Sequence, residues 1–165
     1  MALKPGDVAP DCEVTTHEGK TIRLSELWAR NPVVIFFYPK AFTPGCTAEA
    51  CHFRDLRAEF EGVGATVVGI STDSVDTQAR FSERYGLGFT LLSDPRGEVA
   101  RLFGVKRKLL PFDKRTTFVI AKGGKILERI HDEFSMEVHA DKALEILSSS
   151  GAGQRSESGA SQGSE

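Results

Sequence analysis

The chain has no apolar run long enough to cross a membrane. A spanning helix needs about 18 or more consecutive apolar residues, and the best stretch here is only Val33 to Tyr38. An excess of charge is missing too. With 21 Lys+Arg against 23 Asp+Glu the formal net charge is −2, which leaves no cationic surplus to neutralise a phosphate backbone and excludes nucleic acid as an expected partner. Met1 to Pro10 hold no basic segment followed by an apolar stretch, so no secretory signal is read there and a cytoplasmic location is expected. Cysteine is scarce as well. Three residues make an odd number, too few for a disulfide scaffold. A reducing compartment keeps such thiols free unless they take part in chemistry, so they are the residues to question first.

A length of 165 residues suits a single core. From Ser148 to Glu165 the chain has seven Ser and four Gly and no aromatic, Val, Ile or Leu. Such a segment cannot bury enough apolar surface to offset its ordering entropy, so residues 148–165 are read as a flexible tail and residues 1–147 as the folded unit. Within that unit, Cys12 to Thr16 and Thr21 to Leu24 flank a turn at His17-Glu18-Gly19-Lys20 and predict an N-terminal β-hairpin. Val33 to Tyr38 is rich in β-branched and aromatic residues and stops at Pro39, as expected of a strand buried on both faces. Ala65 to Ser71 repeats the pattern, and Thr90 to Leu92 and Thr116 to Ala121 carry it more weakly. Helical spacing covers Pro44 to Phe60, Val75 to Tyr85, Glu98 to Phe103 and Ser135 to Leu147. Alternating strands and helices predict an α/β domain, and a hairpin turn at Gly123-Gly124 makes its central sheet mixed.

The chemistry concentrates directly after the first buried strand, in Pro39-Lys40-Ala41-Phe42-Thr43-Pro44-Gly45-Cys46-Thr47-Ala48-Glu49-Ala50-Cys51. Thr43 suits an N-cap and Pro44 the first helical position, which sets Cys46 in the first turn. There the unpaired amides and the positive end of the helix dipole favour a thiolate, the nucleophilic form of the side chain. The competing readings are a small buried thiol packed under a loop and a metal site from Cys46, Cys51 and His52. The second lacks the paired two-residue spacing and a second ligand pair, so no metal is expected.

The stretch P-K-A-F-T-P-G-C resembles the P-x-x-x-T-x-x-C active-site motif of peroxiredoxins, thiol peroxidases on a thioredoxin-like fold. C-T-A-E-A-C is similar to the bacterioferritin-comigratory (PrxQ) subfamily, in which a resolving cysteine follows five residues later on the same helix. G-I-S-T-D-S, F-S-E-R-Y-G-L, S-D-P-R-G-E-V-A and R-T-T-F-V-I extend the likeness over nearly all of residues 1–147. The resemblance implies that Cys46 is the peroxidatic thiol, Cys51 the resolving thiol, Thr43 a hydroxyl aimed at peroxide, and Pro39 a shield over the site. It makes Arg115 the active-site arginine, a residue that by itself reads equally well as a solvated strand-end charge. Glu49 falls where the subfamily carries Glu or Gln and is expected to support through a hydrogen bond. Cys12 replaces an aromatic or aliphatic residue and is expected to pack as an ordinary core thiol. His17, His52, His131 and His139 fall in no motif and are taken as surface or core residues.

The implied reaction is reduction of hydrogen peroxide or an organic hydroperoxide through a Cys46 sulfenic acid, then a Cys46–Cys51 disulfide recycled by a thioredoxin-type reductant. No metal, haem or flavin enters it. The decameric class has a Gly-Gly-Leu-Gly segment and a C-terminal Tyr-Phe helix; neither is found here, so a monomer or weak dimer is expected. A disulfide oxidoreductase would want Cys-x-x-Cys at the helix start. A non-enzymatic redox sensor using the same disulfide is the alternative. On a regular helix the two cysteines lie about 140° apart with a rise of about 7.5 Å, giving a Cα separation of about 8.6 Å. A disulfide tolerates about 7 Å, so the helix is expected to unwind before the bond can form.

Overall fold

The structure, a computed structural model, describes residues 3–107 and 113–163. Strands β1 (Glu13–Thr16) and β2 (Thr21–Arg23) form the expected hairpin, antiparallel with Val14 opposite Ile22. β3 (Val33–Phe37) runs parallel to β4 (Thr66–Ser71), which runs parallel to β5 (Thr90–Ser93). β6 (Thr116–Ile120) lies antiparallel on the other side of β3 and continues through the Gly123-Gly124 turn into β7 (Ile126–His131). The sheet is thus mixed, in the order β2-β1-β5-β4-β3-β6-β7. Helices α1 (Pro44–Asp55), α2 (Arg57–Gly62), α3 (Val75–Tyr85), α4 (Glu98–Leu102) and α5 (Met136–Gly163) flank it.

The period-two alternation of β3 divides the core. Val34 and Phe36 join Phe53, Phe60 and Phe81 on one face of the sheet. Val33, Ile35 and Phe37 join Trp28, Phe103 and Phe118 on the other. All five residues of β3 are buried, so an uninterrupted apolar run was the correct signature for it. Gly69 in β4 lets the neighbours close in: a Cβ there would stand 2.8 Å from Phe36 Cζ and 2.9 Å from a methyl of Leu91.

The structure corrects the helix expected over Pro44 to Phe60, which breaks at Leu56 into α1 and α2. Seven residues of straight helix advance about 10.5 Å; the break brings the Phe53 and Phe60 rings to a centroid distance of 5.8 Å, stacked in one cluster. At the other end of the chain, α5 carries helical backbone to Gly163, past the Leu147 end read from the sequence. Residues 164 and 165 of the expected tail lie outside the described residues. No helix among the described residues is long and apolar enough to cross a membrane.

Candidate active site

The C-terminal end of β3 runs into the 38–43 loop and then α1, while antiparallel β6 begins beside that end, with Thr116 opposite Phe37. Arg115, one residue before β6, is thereby delivered to the first turn of α1. Crevices at the carboxyl ends of strands are where α/β sheets hold ligands.

Cys46 is buried in that first turn and carries a free thiol, as do Cys51 and Cys12. Two donors face its sulfur: the Lys40 backbone N–H at 3.4 Å and Arg115 Nη1 at 3.5 Å. Arg115 passes close over Gly45, where a Cβ would stand 3.1 Å from Arg115 Nη2 and 3.4 Å from Met136 Sδ. Burial works against the Arg115 charge, but the carboxyl of Glu49 and the sulfur of Cys46 outweigh it and hold the group above its ordinary value. The guanidinium is charged at any working pH.

Glu49 lies one turn beyond Cys46, fully buried, and accepts from Arg115 Nη1 at 2.7 Å through Oε1. Burial pushes its carboxyl up to about 8 against the pull of Arg115. Thr43 occupies the N-cap position but does not cap: its hydroxyl donates instead to the Lys40 carbonyl at 2.7 Å and closes the loop on itself. The Thr43 carbonyl accepts from Thr47 N–H at 2.9 Å and starts the helix. Pro39 is half-buried at the loop entrance. The Ala41 N–H is held by Asp73 Oδ2 at 2.7 Å, and the Tyr38 hydroxyl bonds the Gln78 side chain. Phe42 adopts φ 69°, the one positive φ at a non-glycine among the described residues, and rests its half-exposed ring on Phe81 at 5.1 Å.

Cys51 is half-buried further along α1. It lines a groove of about 500 Å³ with Ala48, His52 and Asp55 from its own helix, Phe134 and Ser135 from the loop before α5, and Met136 and Glu137 from the start of α5. Phe134 is almost wholly exposed at the rim. A contact between His52 Nε2 and Asp141 Oδ1, at 2.8 Å, fastens α1 to α5.

The structure therefore gathers Cys46, Arg115, Glu49 and Thr43 around one helix start, with Pro39 at its edge and Cys51 on another part of the same helix. Cys12 packs half-buried against the second core cluster, where burial raises its thiol. Sequence reasoning missed the Lys40 amide, which is backbone and leaves no residue signature, and His139, which is fully buried behind Glu49. Among the described residues no group of three or more His, Cys, Asp or Glu side chains could hold a metal ion.

Residues 5–129 match the AhpC/TSA family. Peroxiredoxin Bcp of Escherichia coli is 39% identical over 151 residues, which cover 88% of this chain and 96% of that protein. The crystal structure of peroxidoxin BcpB from Mycobacterium tuberculosis superposes with a TM-score of 0.85 at 54% identity, covering 90% of this chain and 98% of that one. A bacterioferritin comigratory protein of Xanthomonas campestris, studied for alkyl peroxide reduction, gives 0.80 at 29% identity, covering 92% and 98%. The chain accordingly belongs to the AhpC/TSA family, with the Bcp/PrxQ peroxiredoxins as its relatives.

Proposed function

We propose that the chain is a thiol peroxidase in which Cys46 is the nucleophile, and that the observation carrying this reading is the pair of donors, the Lys40 amide and Arg115, on a buried sulfur. The Cys46 thiolate attacks the terminal oxygen of hydrogen peroxide or an organic hydroperoxide. The O–O bond breaks, water or alcohol leaves with a proton, and Cys46 becomes a sulfenic acid. Arg115 and the helix-start amides meet the charge that develops on the departing oxygen, with Thr43 beside them, and so stabilise the transition state more than the bound peroxide. Pro39 shields the loop side. Glu49 supports by holding Arg115 at 2.7 Å.

Cys51 then attacks the sulfenic sulfur, expels water and forms an intramolecular disulfide. α1 is continuous from Pro44 to Asp55 with both cysteines in it, and helix geometry leaves their Cα atoms about 8.6 Å apart, beyond the disulfide limit of about 7 Å. Resolution therefore requires unwinding between them, with release of the Glu49–Arg115 and His52–Asp141 contacts. A thioredoxin-type reductant returns the dithiol through a mixed disulfide. A cytoplasmic location and a monomeric or weakly dimeric state fit this scheme.

The deciding experiment is peroxide consumption with a thioredoxin system. Many turnovers per chain are expected; a single stoichiometric oxidation would replace the peroxidase by a redox sensor built on the same disulfide.

A further inference from the structure

Two contacts hold the tip of Arg115, and both come from α1: Nη1 donates to Glu49 at 2.7 Å and stands 3.5 Å from Cys46 Sγ. Its Nε is buried without a hydrogen-bond partner among the described residues. The direction of the guanidinium is therefore set largely from the other end, by where the backbone of residue 115 is held. There the loop between β7 and α5 takes both peptide groups. The Asp132 N–H donates to the Arg115 carbonyl at 3.3 Å, and the Arg115 N–H donates to Glu133 Oε2 at 3.3 Å.

Glu133 belongs to no motif, yet its one oxygen collects donors from three parts of the chain. Besides the Arg115 amide, Oε2 meets Arg107 Nη2 at 2.7 Å, from the stretch after α4, and His131 Nε2 at 2.9 Å, from the end of β7. A carboxylate only accepts, so each of these nitrogens donates. Burial works against the Glu133 charge, but the hydrogen bonds from His131 and the Arg115 backbone outweigh it and hold the carboxyl below its ordinary value. The turn into α5 does not need this side chain. Asp132 closes that turn, its Oδ1 accepting from the Phe134 N–H at 2.9 Å and the Ser135 N–H at 2.8 Å. Charge gives Glu133 no helpful role at the sulfur either, since an anion on this side disfavours a thiolate and the negative charge developing on peroxide. What it can contribute is place.

We propose that Glu133 is a positioning residue: by tying the Arg115 backbone to Arg107 and His131 through one carboxylate oxygen, it aims the guanidinium at the Cys46 sulfur. The inference rests on the peroxidase reading of Cys46. It also gives Arg115 an anchor outside α1, the helix whose unwinding releases the contacts at the guanidinium tip.

The test follows Cys46 sulfenic acid formation by rapid quench and mass spectrometry, with hydrogen peroxide and the full chain in a Cys51→Ser background. Glu133→Ala is expected to slow this step by about tenfold, inside the range that misplacing a reacting group by an ångström costs. Glu133→Gln keeps an oxygen able to accept from the Arg115 N–H and should restore most of the rate. With Arg115→Gln also present, Glu133→Ala should slow the step by less than about twofold, because residues that act through one another do not add. A merely structural role would slow both backgrounds by the same factor, and loss of a nearby negative charge alone would speed the reaction. Arg107→Ala removes the 2.7 Å tie and leaves Glu133 in place; it should give a smaller slowing with the same dependence on Arg115, and it carries the test if Glu133→Ala does not fold. An unchanged or faster rate in Glu133→Ala, a slowing that Glu133→Gln does not relieve, or equal factors in the two backgrounds would each overturn the inference. Failure of the peroxidase reading is separate: it would appear as no Cys46 oxidation in the Cys51→Ser protein with Glu133 intact.

Discussion

Arg115 Nη1 stands 3.5 Å from Cys46 Sγ across 69 residues of sequence, and the same nitrogen donates to Glu49 at 2.7 Å. Removing the charge while keeping some length, as in Arg115→Gln, should slow the first peroxide step by about tenfold or more, the scale of losing a close opposite charge. Stopped-flow oxidation in a Cys51→Ser background measures it. Equal rates in the two proteins would remove Arg115 from the reacting centre.

The two thiols should separate cleanly. Cys46→Ser is expected to abolish peroxide consumption, whereas Cys51→Ser should consume one equivalent and then stall with the thioredoxin system, its sulfenic acid trappable by a dimedone-type reagent. Normal cycling of either variant would contradict the two-cysteine scheme.

Unwinding of α1 is readable by amide exchange. Ala50 and Phe53 are buried on the core side of the helix, so residues 44–56 should be protected in the reduced protein and lose protection on oxidation. Similar protection in both states, with the intramolecular bond verified by mass spectrometry, would mean that the helix survives closure.

Stability should depend on pH with a definite sign. The Glu49 carboxyl is raised in the folded state from 4.5 to about 8. Between those values the unfolded chain gives up a proton that the folded chain retains, so the stabilisation is complete below about 4.5 and is lost as the pH rises through about 8. Asp113, raised by burial to about 7, acts in the same direction over a narrower window. Melting temperatures should therefore decline from pH 5 to 9, and Glu49→Gln should flatten the decline. A slope identical to wild type would show that Glu49 ionises normally.

Ending the chain after Ser149 tests the role of residues 150–165. Peroxidase activity and melting temperature are expected to be nearly unchanged, because that segment has no aromatic, Val, Ile or Leu to add to the core. A marked fall in either would make the extended α5 a structural element.

What could be read from the sequence was what depends on neighbours in the chain. β3 announced itself as an apolar β-branched run, α3 matched its expected bounds of Val75 and Tyr85, and Cys46 was placed by the Thr-Pro-Gly entry to its helix. The break at Leu56 was not legible, since it arises from how Phe53 and Phe60 settle against the sheet. Thr43 had the composition of a cap, but the Lys40 carbonyl wins its hydroxyl. His139 was passed over because its surroundings come from α5 docking against α1 and β6, which brings it to a carboxyl 90 positions earlier in the chain.

Phe42 adds one more consequence. A left-handed backbone at a bulky residue costs about 1–2 kcal/mol, and this one is held by the loop closed at Thr43 and by the ring contacts with Phe81 and Tyr85. The ring contacts come from α3, so the loop that carries the Lys40 amide to the Cys46 sulfur is anchored by a helix that itself supplies no donor to that sulfur, and the geometry at the thiol depends on aromatic packing against a different element of the fold.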